Sequence, residues 1–236
     1  MLFVILVLIL SIPVVQTSLG NYATKKLNKD FGTNINIDKV GLQFNRDVEL
    51  KNIYVEDYKQ DTLISITELN TSILNFRNLA RGKLIFGDID IYGLIFNIKR
   101  YKGESDTNLD VFVARFDDEK PTKEKSDFLL SSSDVSIYDG VFVLSDENKE
   151  TPIKLDFYDL NINATNFLIN GSDVSARINT LKLQDRRGVA IQNMMTDFTY
   201  TLENMIFDNL QIKTKNSIKV DKALQDFNKL VSDYEK

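Results

Sequence analysis

Apolar and polar residues alternate through most of the chain beyond Thr33, and a six-residue variation on that rhythm recurs: apolar, any residue, Asn or Asp, apolar, any residue, apolar. It reads Leu50-Lys51-Asn52-Ile53-Tyr54-Val55, Phe86-Gly87-Asp88-Ile89-Asp90-Ile91, Phe157-Tyr158-Asp159-Leu160-Asn161-Ile162 and Phe207-Asp208-Asn209-Leu210-Gln211-Ile212. Successive strand residues point to opposite faces, so a step of two keeps one face and a step of three flips it. One extra residue at the Asn/Asp position restores the face. A β-bulge or sharp bend does this, and Asn and Asp tolerate the backbone angles required. The pattern predicts long strands folded at a ridge, with one apolar face continuous across the bend.

Plain alternation fills the intervals, at Ile35 and Ile37, at Val40 and Leu42, at Leu94, Phe96 and Ile98, at Val174, Ala176 and Ile178, and at Leu181 and Leu183. The intervening positions are mostly Asn, Asp, Lys, Gln and Thr, as in an antiparallel sheet covered on one side. A second repeat relates Asp88-Ile89-Asp90-Ile91-Tyr92-Gly93-Leu94-Ile95-Phe96 to Asp134-Val135-Ser136-Ile137-Tyr138-Asp139-Gly140-Val141-Phe142. Each reads as a strand, a Gly-containing turn and a second strand, which predicts two hairpins. Their likeness predicts stacked units within one architecture.

The ends differ from this body. Residues 1–19 are apolar apart from Ser11 and Gln16-Thr17-Ser18, which at about 1.5 Å per residue spans roughly 28 Å of helix, close to the ~30 Å hydrocarbon core of a bilayer. The segment is either a membrane anchor or the apolar stretch of a signal peptide. Lacking a basic start and offering only Ser18-Leu19-Gly20 for cleavage, it is read as an uncleaved anchor. Lys25, Lys26 and Lys29 follow the anchor, and no basic residue precedes it. By the positive-inside rule this alone would put the body in the cytoplasm. Residues 20–32 keep helical spacing at Tyr22, Ala23 and Leu27, predicting a short amphipathic helix that stops at Phe31-Gly32. Residues 33–217 form the β domain, with a polar loop at 117–127. Residues 218–236 carry Val220, Leu224, Phe227, Val231 and Tyr234 on one helical face, predicting a second amphipathic helix against the open edge of the last strand.

Composition then narrows the chemistry. The 236 residues contain no Cys, His or Trp, which removes disulfides, thiol nucleophiles, imidazole-dependent triads and the usual zinc ligand sets. The net charge of −5 opposes nucleic-acid binding, which needs concentrated Lys and Arg. Carboxylate pairs such as Asp88 with Asp90 or Asp106 with Asp110 offer general acid–base groups, but strand alternation sets the first pair on a wet face. No catalytic residue, metal site or cofactor is expected.

The order of features resembles the N-terminal region of the TamB proteins, the translocation and assembly module subunits within the AsmA-like group. The resemblance is carried by the apolar start and short helix, Phe31-Gly32-Thr33-Asn34-Ile35-Asn36-Ile37-Asp38-Lys39-Val40, Val48-Glu49-Leu50-Lys51-Asn52-Ile53-Tyr54-Val55, Gly82 to Leu94 and Phe128 to Phe142. It covers roughly residues 1–217. TamB proteins are far longer and end in a further domain, so a bridge across the periplasm is not expected of this polypeptide alone. The resemblance implies an inner-membrane anchor, a periplasmic β-taco with an apolar groove, and a part in outer-membrane biogenesis. That part is lipid transport, or protein assembly and secretion beside an Omp85-type outer-membrane partner resembling TamA.

A lipid path also has a physical rationale. Exposing an acyl chain of about 16 carbons to water costs on the order of 12 kcal/mol at ~0.8 kcal/mol per methylene. A folded sheet lined by Ile35, Ile37, Leu50, Ile53, Val55, Ile89, Ile91, Leu160, Ile162, Leu210 and Ile212 offers a substitute surface, provided its walls stay apart. The expected partners are therefore phospholipid and membrane. The competing expectation is a membrane-anchored scaffold that binds protein partners by pairing at an open strand edge.

Overall fold

A computed structural model describes residues 13–42, 47–74, 83–116, 128–149 and 153–214. The elements run α1 (Pro13–Phe31), β1 (Asn34–Leu42), β2 (Asp47–Glu56), β3 (Thr62–Ile73), β4 (Lys83–Tyr92), β5 (Ile95–Arg100), α2 (Asn108–Ala114), β6 (Leu129–Asp146), β7 (Ile153–Asn170), β8 (Asp173–Asp185), β9 (Ala190–Tyr200) and β10 (Met205–Thr214). All the strands join one sheet in the order β1-β2-β3-β4-β6-β7-β8-β9-β10, and β5 continues β4 between β3 and β6. The fold is mainly β, as the alternation predicts.

The sheet is mixed, which corrects the purely antiparallel expectation. β6 runs parallel to both β4 and β5, while the other ladders are antiparallel. A parallel return needs a connection of about a dozen residues or more; residues 101–128 supply it and contain α2. This seam is also the physical meaning of the second repeat. Ile89 pairs with Val135, Ile91 with Ile137, Tyr92 with Tyr138, Ile95 with Val141 and Phe96 with Phe142, so residues that align in sequence lie side by side. The Tyr92 and Tyr138 rings stack at 4.8 Å.

The predicted hairpins are not formed. At Gly93 (φ 63°) and Asp139 (φ 53°) the chain bends and continues in the same direction, so each repeat is one kinked strand. β5 takes its hydrogen bonds from β3 and β6 rather than folding back on β4.

The ridge itself follows the six-residue pattern. Asn52, Asp159 and Asn209 adopt φ of 51°, 50° and 53°, the left-handed region that short polar side chains enter most readily. Asp88 does not. There Gly87 and Asp88 together oppose Ser72, a two-against-one bulge that achieves the same shift of face. Asp38, Asn52, Thr67, Gly93 and Asp139 fall in one row across β1 to β6. Further bulges at Asp159, Asn179 and Asn209 carry the bending to the last strand. On both sides of the row the apolar side chains keep one face, joined in two clusters centred on Ile53, Ile66 and Leu94 and on Leu160, Leu181 and Met194.

A single helix, α1, crosses residues 19 and 20, where the sequence suggested a division between anchor and amphipathic helix. Gly20 does not break it, because the helix lies on β1 there and any side chain would collide with Val40. The helix stops at Phe31 with Gly32 at φ 65°, as expected. It seals the outer edge of β1 with two amides. Gln16 gives its Nε2 to Leu42 O (2.8 Å) and takes Leu42 N on Oε1 (3.1 Å). Asn28 treats Ile35 the same way, at 2.8 and 2.9 Å. Among the described residues no helix is long and apolar enough to cross a membrane. Residues 1–12, most of the expected anchor, lie outside the described residues, as do the loop at 117–127 and the expected helix at 218–236.

The margins on either side of the ridge meet at α2. Asn108 bonds to β5 at Asn97 O (3.1 Å) and Lys99 N (2.8 Å), in the ladder row of Val143. Two residues later Asp110 Oδ1 accepts from Tyr200 OH (2.7 Å), in the row of Val174, Ile169 and Leu130. Along a straight β6, Val143 and Leu130 would stand roughly 43 Å apart at ~3.3 Å per residue, yet Asn108 and Asp110 rise only about 3 Å along α2. The sheet must be folded over for one short helix to reach both. An aromatic group makes the same link: Phe31, beside the start of β1, lies 5.6 Å from Phe128, beside the start of β6, and both contact Phe116.

Candidate functional site

The eleven apolar positions singled out from sequence lie on this common face. Ile37, Leu50, Ile53 and Ile91 belong to the first cluster, and Leu160, Ile162, Leu210 and Ile212 to the second. Val55 and Ile89 are buried, and Ile35 sits opposite Val55 in the β1–β2 ladder. The burial is uneven. Ile53, Val55, Ile89 and Leu160, near the ridge or inside a central ladder, are 6–7% exposed. Ile35, Ile37, Leu50, Ile91, Ile162, Leu210 and Ile212 are only half-buried. Sequence reasoning missed other members of the face: Ile64, Leu69, Phe96, Ile137, Phe142 and Ile178 pack against the same clusters. Their alternation was visible, but the six-residue motif does not include them.

The opposite face is a hydrogen-bonded ladder of polar side chains. Asp134 accepts both Oδ contacts from Asn163 Nδ2 (2.9 and 3.0 Å), and Asn179 Nδ2 reaches Asn163 Oδ1 (3.0 Å) and Thr165 (3.3 Å). Arg177 pairs with Asp197 (2.9 Å), which also accepts from Asn209 (2.9 Å). Lys51 bridges Glu49 (2.8 Å) and Glu68 (3.3 Å). Two hollows, of about 400 and 180 Å³, open on this polar face; the larger has Asp61, Asn97, Lys99, Asn108 and Lys154 in its lining. Its charges are paired, Lys99 with Glu147 (3.0 Å) and Asp61 (3.4 Å), and Lys154 with Asp156 (3.7 Å) beside the hollow.

The carboxylate pairs considered from sequence are members of such ladders. Asp88 accepts from Ser133 (3.0 Å) and Asp90 from Tyr138 (3.3 Å). Asp106 is exposed and accepts from Ser105 (3.1 Å), while Asp110 is engaged by Thr107 and Tyr200.

Residues 101–116, which carry no signal in the six-residue pattern, tie the margins together. Thr107 and Asp110 form a capping box at the start of α2: Thr107 Oγ1 accepts from Asp110 N (3.1 Å), and Asp110 Oδ2 accepts from Thr107 N (2.9 Å). The other oxygen of Asp110 holds Tyr200, 8% exposed, whose phenol is pushed up from its ordinary value by burial and by that carboxylate. Asn108, 1% exposed, spends its amide on Asn97 O, Lys99 N and Asp57 (3.1 Å), standing in for the strand that β5 lacks there. Tyr101 OH donates to Asp57 (2.7 Å) and Asp61 (2.8 Å). Burial first and these carboxylates next push Tyr101 up, and its hydroxyl holds Asp61 below the usual carboxylate range. The signal that could have revealed α2 is Thr107-x-x-Asp110 before Val111-Phe112-Val113, the sequence form of a capping box. Compared with known proteins, this chain matches no family model and no curated protein sequence.

Proposed function

We propose that this protein is a lipid conduit: an inner-membrane-anchored, periplasmic member of the TamB and AsmA-like group whose folded sheet shields acyl chains passing between membranes, in support of outer-membrane biogenesis. The observation that carries this reading is the apolar face running from β1 to β10, folded at its ridge, with Ile35, Ile37, Leu50, Ile91, Ile162, Leu210 and Ile212 half-buried rather than sealed. In a closed sandwich, facing sheets interdigitate about 10 Å apart and bury such residues. The order of sequence motifs supports the same assignment.

Native mass spectrometry of the gently extracted full chain tests it. Phospholipid should co-purify, and Ile91→Asp or Ile162→Asp should abolish the lipid adduct while the β circular-dichroism signal persists. A chain that carries no lipid, or whose charged variants simply unfold, overturns the conduit. One observation favours the scaffold alternative. The outer edge of β10 has no ladder partner among the described residues, and Met205 and Ile206 there are exposed. A bound peptide in place of lipid in the same spectrum would select that reading.

A further inference from the structure

We infer that α2 is a latched strap across the mouth of the folded sheet, and that its release sets how fast lipid loads into the apolar interior. The inference rests on the conduit reading and goes beyond it by assigning a moving part. Its basis is the unequal anchoring of one short element. On the β5 side, Asn108 is buried and holds backbone groups of Asn97 and Lys99 as well as Asp57, while residue 107 bridges to Arg100. That end is built into the sheet. On the far side, the polar attachment of α2 among the described residues is the Tyr200 hydroxyl on Asp110 Oδ1, assisted by the ring contacts of Phe116 with Phe128. Among the described residues, one hydrogen bond and the ring contacts of Phe128 with Phe116 and Phe31 hold that side, against the buried amide network on the other.

The helix is suited to hinge this way. Its capping box uses Asp110 Oδ2 and leaves Oδ1 for Tyr200, so the helix start survives loss of the latch. Val111, Phe112 and Val113 are each half-buried, so α2 carries apolar side chains around much of its short girth. With the strap closed, a guest reaches the interior by sliding along the ladder direction. With it open, a guest can load sideways between the margins.

A hydrogen bond from a buried hydroxyl to a carboxylate is worth about one to two decades in an opening equilibrium. Tyr200→Phe removes that bond, keeps the ring, and should speed uptake of the fluorescent fatty acid cis-parinaric acid by about tenfold or more. The converse variant is Asp110→Cys with Tyr200→Cys in the full chain, which has no other cysteine. The two are joined by a dimaleimide with a central disulfide, and uptake is followed by stopped-flow fluorescence with the protein held in amphipol. Joined protein should load at least about tenfold more slowly than the same variant after reductant, which has neither link nor latch and should load about as fast as Tyr200→Phe. Equal rates for joined, reduced and Tyr200→Phe proteins, with lipid still bound, overturn the strap and leave the conduit standing. No binding of the probe by wild type overturns the conduit and the strap together.

Discussion

Replacing Asp159 separately by Gly and by Val tests the ridge at a residue whose ladders are displaced on both sides. Its φ is 50°, and its side chain takes Gln184 Nε2 at 2.8 Å on an exposed face. Both substitutions lose that bond, at about 0.5–1.5 kcal/mol. Gly then recovers much of the left-handed backbone cost, about 1–2 kcal/mol for a residue with a Cβ, and ends within about 1 kcal/mol of wild type. Val loses the bond and fits left-handed angles worst of all, so it should destabilise by about 2–3 kcal/mol. At a straight strand position the order reverses, because β-branched residues are favoured there by up to ~1 kcal/mol and Gly weakens a strand by a comparable amount. Urea titration followed by far-ultraviolet circular dichroism reads the difference directly. A Val variant as stable as the Gly variant would refute the account of how the face is kept across the bend.

Gln16→Ala with Asn28→Ala should cost about 1–3 kcal/mol per site and expose the β1 edge, so sedimentation should detect self-association; a monomer of unchanged stability contradicts the sealing role. Asn108→Leu strands Asn97 O, Lys99 N and Asp57 without their amide and should lower stability by roughly 3–6 kcal/mol, seen as a fall in the urea midpoint. Asp61 has a carboxyl held low, chiefly by the Tyr101 hydroxyl and then by Lys99. Its stabilisation is therefore present above the unfolded-state value near 4 and disappears as pH falls through the folded value. Asp61→Asn should make the acid limb of the stability profile shallower, and an unchanged limb contradicts this.

How much was legible in the sequence depended on whether the cause was local. Asn52, Asp159 and Asn209 advertise the bend because a left-handed backbone selects a short polar side chain at one position. Asp88 advertises it too, but Gly87 beside it allowed a bulge with ordinary angles instead. That the eleven candidate positions share one face was legible because strand alternation sorts faces without knowledge of partners. The aligned segments around Tyr92 and Tyr138 were visible as a repeat, yet their pairing direction was not. A Gly-containing kink and a hairpin turn look alike over a few residues, and only the hydrogen-bond partners of β5 separate them. The tie from Asp110 to Tyr200 joins residues ninety apart in the chain, which no local pattern encodes. Gln16 and Asn28 read as ordinary helix residues until the edge they cover is known.

The parallel seam has a bearing on how this molecule assembles. β1 to β4 pair by short returns, and so do β6 to β10, so each block can gain its ladder hydrogen bonds with small loop-closure entropy. Joining the blocks demands that residues about forty-six positions apart find register across a crossover, the slowest class of contact to form. The chain should therefore ripen as two cooperative blocks that zip together last, and loosen first, along the line where Tyr92 stacks on Tyr138.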